Sequence, residues 1–307
     1  MAVTNPTSGT PRGTCARVLT PTPFEAEVSL PPLGIAAGLI GSLSFGAGDF
    51  AGAFAARRSG AMVVVAGAHS AGLVALLIGA AILRPAAPDA GSMLVAVAAG
   101  VAGVAGLAAL YRGMSIGSMG LVTSLSGAGS LAIPLLAGAL LGATVSPVQL
   151  VGVGCAAGAA AAAGGASRDE VGRRSLALAG LAAASFGAWY VLIDLAARGG
   201  DPLWALVFSR AASALIAVVV VLLSGFDRSR APLVVILAAG LLDVGGNAGY
   251  VIAREQMHLG LAAALVGLYP VVTVLLARVL LGERLTRLGQ VGVALAVIGI
   301  VLISAGG

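Results

Sequence analysis

Long apolar runs alternate with short polar turns along most of this chain. The runs are apolar on all sides, and most approach the roughly 20 residues that a helix needs to cross a bilayer. Strands of a membrane barrel would instead alternate in polarity over about ten residues. The pattern therefore predicts membrane-spanning helices. The ten predicted spans cover residues 34–55, 61–83, 92–111, 121–141, 148–164, 176–197, 203–223, 232–253, 261–281 and 288–304.

The polar segments divide the chain into four parts. Residues 1–32 are rich in proline, threonine and serine and have no long apolar run, which predicts a disordered tail. No apolar core of a secretory signal is visible there. Residues 33–166 hold five spans, residues 167–175 form a charged linker, and residues 176–305 hold five more.

An internal repeat relates the two sets of five spans. The segment Leu135-Leu136-Ala137 recurs as Leu275-Leu276-Ala277 at an offset of 140, and Ser44-Phe45-Gly46-Ala47 recurs as Ser185-Phe186-Gly187-Ala188 at 141. Because five is odd, the second copy must enter the membrane in the opposite sense, as in many transporters. We therefore predict an all-α membrane protein with ten transmembrane helices in two inverted five-helix repeats.

Composition agrees with a membrane protein and argues against other classes. The chain is 59% hydrophobic and 9% charged, whereas soluble domains carry about 25% charged residues. The net charge of +5 comes from arginines scattered at helix ends, so no nucleic-acid partner is expected. The two cysteines, Cys15 and Cys155, and the two histidines, His69 and His258, are far apart and predict neither a disulfide framework nor a metal site. No cofactor is expected.

Ionisable groups inside spans cost about 2.5–3.5 kcal/mol each and indicate functional sites. Asp49 lies in the middle of the first span, four residues after Phe45. Its repeat partner is Tyr190, four residues after Phe186. We expect Asp49 and Tyr190 to face a central cavity, where a desolvated carboxylate could exchange a proton for substrate. The alternative is that Asp49 only packs between helices.

His69 and Arg210 are also repeat partners, since 210 − 69 = 141. Two such groups at equivalent depths could bind a substrate carboxylate, which suits the bidentate fork of arginine. The alternative is that Arg210 pairs with Asp243 or Asp194 and only holds the bundle together, because a buried charge needs a partner in either case.

The eighth span carries a polar stripe. Asp243, Asn247 and Tyr250 follow one another at spacings of four and three, which places them on one helical face. We expect this face to line the cavity, with Asp243 as a second proton-coupling candidate; the alternative is a seam of interhelical hydrogen bonds. Tyr269 is a further cavity candidate, and Pro270 after it predicts a kink in the ninth span.

The closing segment LYPVVTVLLARVLLGERLTRLGQVGVALAVIGIVLIS resembles the last helix pair of the EamA family in the drug/metabolite transporter superfamily. The ten spans, Ser-Phe-Gly-Ala in both halves and the Leu-Gly-Glu-Arg-Leu turn fit this resemblance, which covers about residues 33–304. The first repeat departs from the pattern, because Ala143-Thr144 stands where the second has Glu283-Arg284. The resemblance implies a multi-pass transporter with both termini cytoplasmic that moves small metabolites outward.

We therefore expect a secondary transporter in the cell (inner) membrane that exports small metabolites such as amino acids or drugs by alternating access, coupled to protons through Asp49 or Asp243. The expected partners are a small-molecule substrate and the lipid bilayer, and a homodimer is left open. No Walker motif for ATP is present. The alternatives are an uncoupled facilitator or exchanger, a membrane enzyme, for which no nucleophile–base pair is visible, or a scaffold.

The arginines conflict with the orientation that the resemblance implies. With a cytoplasmic N-terminus, the outside loops would carry most of the arginines of the chain. The positive-inside rule predicts the opposite orientation.

Overall fold

The structure, a computed structural model, describes residues 32–140, 144–166, 169–224, 231–256, 262 and 265–305. In these ranges all regular structure is helical. The ten helices are α1 (Pro32–Ser59), α2 (Ala61–Leu83), α3 (Ala90–Ile116), α4 (Met119–Leu140), α5 (Pro147–Ala166), α6 (Glu170–Ala197), α7 (Pro202–Leu223), α8 (Leu233–Gln256), α9 (Tyr269–Leu281) and α10 (Arg287–Ala305). Eight are long and apolar enough to cross a membrane, and α5 and α9 carry shorter apolar segments. The all-helical membrane fold is confirmed, whereas the two-repeat arrangement stays a prediction.

Aspartates cap the N-termini of three helices, α3, α6 and α7, and the cap of α7 is Asp201. Asp89 accepts a hydrogen bond from the Ser92 amide at 3.0 Å, and Asp169 accepts one from the Gly172 amide at 3.1 Å, which satisfies backbone donors that have no partner within the helix. The Ser92 amide also holds the pKa of the Asp89 carboxyl below its usual range. Because Asp169 caps α6, residues 170–175, predicted as part of the linker, form the first turns of this helix. The predicted tail lies outside the described residues except for Pro32, where α1 begins.

The ninth predicted span differs from the structure. We expected residues 261–281 to form one kinked helix, but α9 begins at Tyr269 after a turn at residues 267–268. Pro270 lies in the first turn of α9, where its missing N–H costs nothing. Gly282, with φ of 66°, ends α9 in the left-handed conformation that favours glycine. The proline therefore starts a helix instead of bending one.

Small residues bring the helices into close contact. The most extensive pairings are α1 with α8, α3 with α6, α5 with α10, and α2 with α7. A Cβ built on Gly246 would lie 2.5 Å from the Phe45 ring, and one on Gly106 would lie 2.8 Å from the Phe186 ring. Only glycine permits such an approach, which is typical of helix packing in membranes.

These contacts recur at the offset of the internal repeat. Phe45 and Phe186 are 141 residues apart, and the glycines beneath them are 140 apart. The Ala68 carbonyl abuts Gly240 in the same way as the Ser209 carbonyl abuts Gly100. The residues that carry these two carbonyls are again 141 positions apart, and the two glycines are 140 apart.

The turn between α9 and α10 is tied to the start of α4. The Glu283 carboxylate accepts hydrogen bonds from Ser118 Oγ at 2.5 Å, the Met119 amide at 3.2 Å and the Gly120 amide at 3.4 Å. A carboxylate at a helix N-terminus satisfies free amides and interacts favourably with the helix dipole. Ala143, which stands at the corresponding place in the first half, lies outside the described residues.

The glycine contacts predict a sharp difference between two matched substitutions. A Cβ at Gly240 would collide with the Ala68 carbonyl oxygen, while one at Gly180 on α6 meets no atom within 4 Å. We expect Gly240→Ala to lower the free energy of unfolding by about 1–3 kcal/mol, the usual cost of overpacking. Gly180→Ala should leave it unchanged or raise it slightly, because alanine favours helix. Unfolding in detergent micelles measures both, and equal values would contradict the close α2–α8 contact.

Candidate functional site

An ion pair between α7 and α8 lies inside the helix bundle. Arg210 donates to Asp243, and their side chains are 11% and 27% exposed. Gly72 on α2 lies beside this arginine and allows a close approach of α8, since a Cβ there would lie 3.3 Å from Val244 Cγ2. Of the two acids considered as partners for Arg210, the structure selects Asp243. Asp194 instead pairs with Arg198 at 2.7 Å on an exposed helix end.

His69 lies beside this pair and is engaged with α7. It is 5% exposed, and its Nδ1 lies 2.5 Å from Ser213 Oγ. Ser213 Oγ also lies 3.3 Å from the Arg210 carbonyl oxygen. The ring is within electrostatic range of Arg210. His69 and Arg210 are therefore close together, but each already has a partner within the bundle.

Asp49 lies on α1, half-buried, within electrostatic range of Asp243. Gly48 beside it allows α8 to approach, because a Cβ there would lie 3.3 Å from the Ala239 carbonyl oxygen. Among the described residues, none lies within ion-pairing distance of the Asp49 carboxylate. An acid without a counter-charge therefore stands next to a neutralised pair, and such a group is costly in a membrane interior.

The four tyrosines of the chain, Tyr111, Tyr190, Tyr250 and Tyr269, converge on these charges. Tyr190 lies within electrostatic range of Tyr250, Asp49 and Asp243, although α6 makes at most marginal contact with α1 or α8. It is 43% exposed. Tyr190 is thus directed toward groups of α1 and α8, and the central cavity expected at the level of Asp49 stays a prediction.

Tyr269 approaches the same groups from α9. Its ring meets Phe45 edge-on at 6.2 Å between centroids, and it interacts electrostatically with Asp49 and Tyr190. A Cβ on Gly127 of α4 would lie 2.8 Å from the Tyr269 hydroxyl. This hydroxyl therefore extends across to α4.

The remaining stripe residue on α8, Asn247, turns back to its own helix. Its side-chain amide donates to the Asp243 carbonyl at 2.9 Å. This bond leaves the amide oxygen for other donors. The eight predicted residues are thus neighbours around Asp49 and the ion pair, with His69 and Asn247 bonded within the bundle, and their role in binding stays a prediction.

Sequence reasoning missed Tyr111 on α3. It is 2% exposed, lies against Gly52, and is within electrostatic range of Asp49, Asp243 and Arg210. The predicted third span ended at Tyr111, but α3 continues to Ile116, so the hydroxyl lies within the bundle. Two sequence features could have pointed to Tyr111. Tyrosine is rare in this chain, and Gly52, one helical turn after Asp49, offers space for a large side chain.

Two cavities lie away from this cluster. One of about 370 Å³ is apolar and lies between Phe50, Phe54 and Leu281. The other, of about 840 Å³, lies between α9 and α10. Neither is lined by the ion pair, by Asp49 or by the tyrosines.

Apolar helices that hold charged and phenolic groups between them define a multi-pass membrane protein with a polar interior. Residues 173–305 match the family model of the EamA-like transporter family. This match covers most of the second half of the chain and confirms the resemblance seen in the sequence.

Comparison with solved structures shows the same fold elsewhere. A protein described only as "Crystal structure of protein" superimposes with a TM-score of 0.59, over 87% of this chain and 97% of its own. The two are 18% identical, so this similarity shows the fold alone. No curated protein matches the chain.

The ion pair predicts a double-mutant result. Arg210→Met or Asp243→Leu alone should lower the free energy of unfolding by about 3–5 kcal/mol, because each leaves a buried charge without its partner. The double variant should recover most of this loss, since two apolar side chains replace the pair. The control Arg198→Met breaks the exposed pair on α6 and should cost less than about 1 kcal/mol. Additive losses in the double variant would contradict the pairing.

Proposed function

We propose that this protein is a secondary transporter of the cell (inner) membrane that exports small amine-bearing metabolites, such as amino acids or cationic drugs, by alternating access coupled to protons. The observation that carries the proposal is the Asp49 carboxylate, which lies near Asp243 and Tyr190 and has no ion-pair partner among the described residues.

The charge balance of the site supports an amine as the substrate group. Arg210 and Asp243 neutralise one another, so Asp49 leaves one negative charge over. The rings of Tyr190 and Tyr269 are close to this charge, and aromatic faces attract cations. Either a proton or an ammonium group neutralises Asp49. Competition between them couples proton entry to substrate release, because the carboxylate cannot hold both.

The recurring contacts support two inverted halves. The rings of Phe45 and Phe186 cover Gly246 and Gly106 in equivalent ways. The pairs α2–α7 and α5–α10 each join a helix to its own repeat partner, as an internal two-fold axis requires. The site then lies where the halves meet, and rocking of one half against the other exposes it to each side in turn.

Asp49→Asn tests the coupling. The first step is a thermal-shift screen of L-amino acids, nucleosides, sugars and organic ammonium compounds, since a ligand raises apparent stability by mass action. In proteoliposomes, the wild type should accumulate the amine found in this way when a pH gradient is imposed. Asp49→Asn should reduce this accumulation to the level of protein-free liposomes, while the exposed-acid control Asp194→Asn keeps it.

Two outcomes would contradict the proposal. Transport that ignores the pH gradient and survives Asp49→Asn would favour the uncoupled facilitator or exchanger. A screen in which only neutral compounds stabilise the protein would remove the amine as the recognised group.

The charges at the two ends of the bundle bear on orientation. Arg57 donates to the Met114 carbonyl at 3.5 Å, and Glu283 binds the start of α4, so these turns lie at the same end. The basic residues of that end include Arg57, Arg58, Arg112, Arg173, Arg174, Arg284 and Arg287. The opposite end carries Arg84 and Arg198 together with Asp89, Asp194 and Asp201. By the positive-inside rule we propose that the basic end is cytoplasmic, opposite to the orientation that the family resemblance implies.

Cysteine labelling tests this orientation. With Cys15→Ser and Cys155→Ala as background, single cysteines are introduced by Ala87→Cys at the acidic end or Arg287→Cys at the basic end. A membrane-impermeant maleimide applied to intact cells should label only the Ala87→Cys variant, and both after permeabilisation. The reverse pattern would restore the orientation implied by the family.

A further inference from the structure

The last two helices leave a groove between them. A turn of five residues, 282–286, joins α9 and α10, yet the two helices barely touch. Their counterparts in the first half, α4 and α5, do pack together. The space between α9 and α10 has a volume of about 840 Å³.

The lining of this groove changes from apolar to polar along its length. Its walls are Val271 and Val274 from α9 and Val293, Val297 and Ile298 from α10. The end near the turn carries the polar side chains of Arg278, Glu283, Arg284 and Gln290. Apolar walls suit the acyl chain of a phospholipid, and cationic groups at one end suit its phosphate.

The two arginines are not neutralised by the acid of their own turn. Glu283 is directed to the N-terminus of α4, where Ser118 and two backbone amides donate to it. Arg278 and Arg284 are exposed and have no hydrogen-bond or ion-pair partner among the described residues. Two positive charges therefore remain at the end of the groove, each with donors that can bind a phosphate.

We propose that this groove binds one anionic phospholipid, with its phosphate at Arg278 and Arg284 and an acyl chain along the valine walls. Basic pockets between membrane helices bind anionic head groups. A zwitterionic lipid carries its own ammonium group beside the phosphate, so it gains less from the two arginines. The site shares no lining residue with the Asp49 cluster, so it does not depend on the proposed transport.

Native mass spectrometry of the delipidated full chain tests the proposal. Phosphatidylglycerol and phosphatidylcholine with the same acyl chains are titrated separately. The wild type should bind one phosphatidylglycerol more tightly than phosphatidylcholine. The variant Arg278→Gln/Arg284→Gln should lose about tenfold or more in affinity for phosphatidylglycerol, from the usual contribution of each basic residue. The control Arg173→Gln/Arg174→Gln removes the same charge from the same end, outside the groove, and should bind like the wild type.

A further variant tests the acyl-chain wall. Ala294→Phe narrows the groove but keeps both arginines, so it should weaken phosphatidylglycerol binding. Thermal unfolding in detergent confirms that each variant is folded. Equal losses in the two double-arginine variants would overturn the proposal in favour of general surface charge. Displacement of the lipid by millimolar inorganic phosphate, with Ala294→Phe binding normally, would overturn it in favour of a free-phosphate site.

Discussion

A charged group surrounded by hydrocarbon needs a partner within the protein, and this constraint organises the interior of the bundle. Arg210 meets it by pairing with Asp243, and the neighbouring polar ring of His69 contacts Ser213. These bonds join α2, α7 and α8 at one level. Once they are made, Asp49 is left beside them with no counter-ion in the part of the chain that the structure describes. The proton-coupling role that we propose for Asp49 thus rests on the ion pair and hydrogen bond that its neighbours form with one another.

Glycines allow the helices that carry these polar groups to pack closely together. Gly48 and Gly72 let α8 approach α1 and α2, and Gly52 lies against the ring of Tyr111. In lipid, helices gain little from burying apolar surface, so close packing has to supply the association energy. The same small residues therefore stabilise the bundle and bring the polar groups together.

The two ends of the bundle are built differently from its interior. At the basic end, arginines can reach water and lipid head groups, so they need no internal partner. The acid of this end, Glu283, does have an internal partner, because it caps α4. Arg278 and Arg284 are therefore left without an ion-pair partner among the described residues. An asymmetry between the halves, the acid at position 283 against the alanine at position 143, is thus linked to the groove between α9 and α10.

The sequence by itself determined the helical membrane fold and the positions of most spans, because hydrocarbon demands long apolar helices whatever their neighbours. It also singled out Asp49, Arg210 and Asp243, since ionisable groups are rare in such runs. Only the tertiary structure decided which acid Arg210 pairs with, that Tyr111 belongs to the cluster, and that α9 begins at Tyr269. Each of these depends on which helix faces approach one another, and a hydrophobic pattern that differs little between the faces of most helices does not specify that choice.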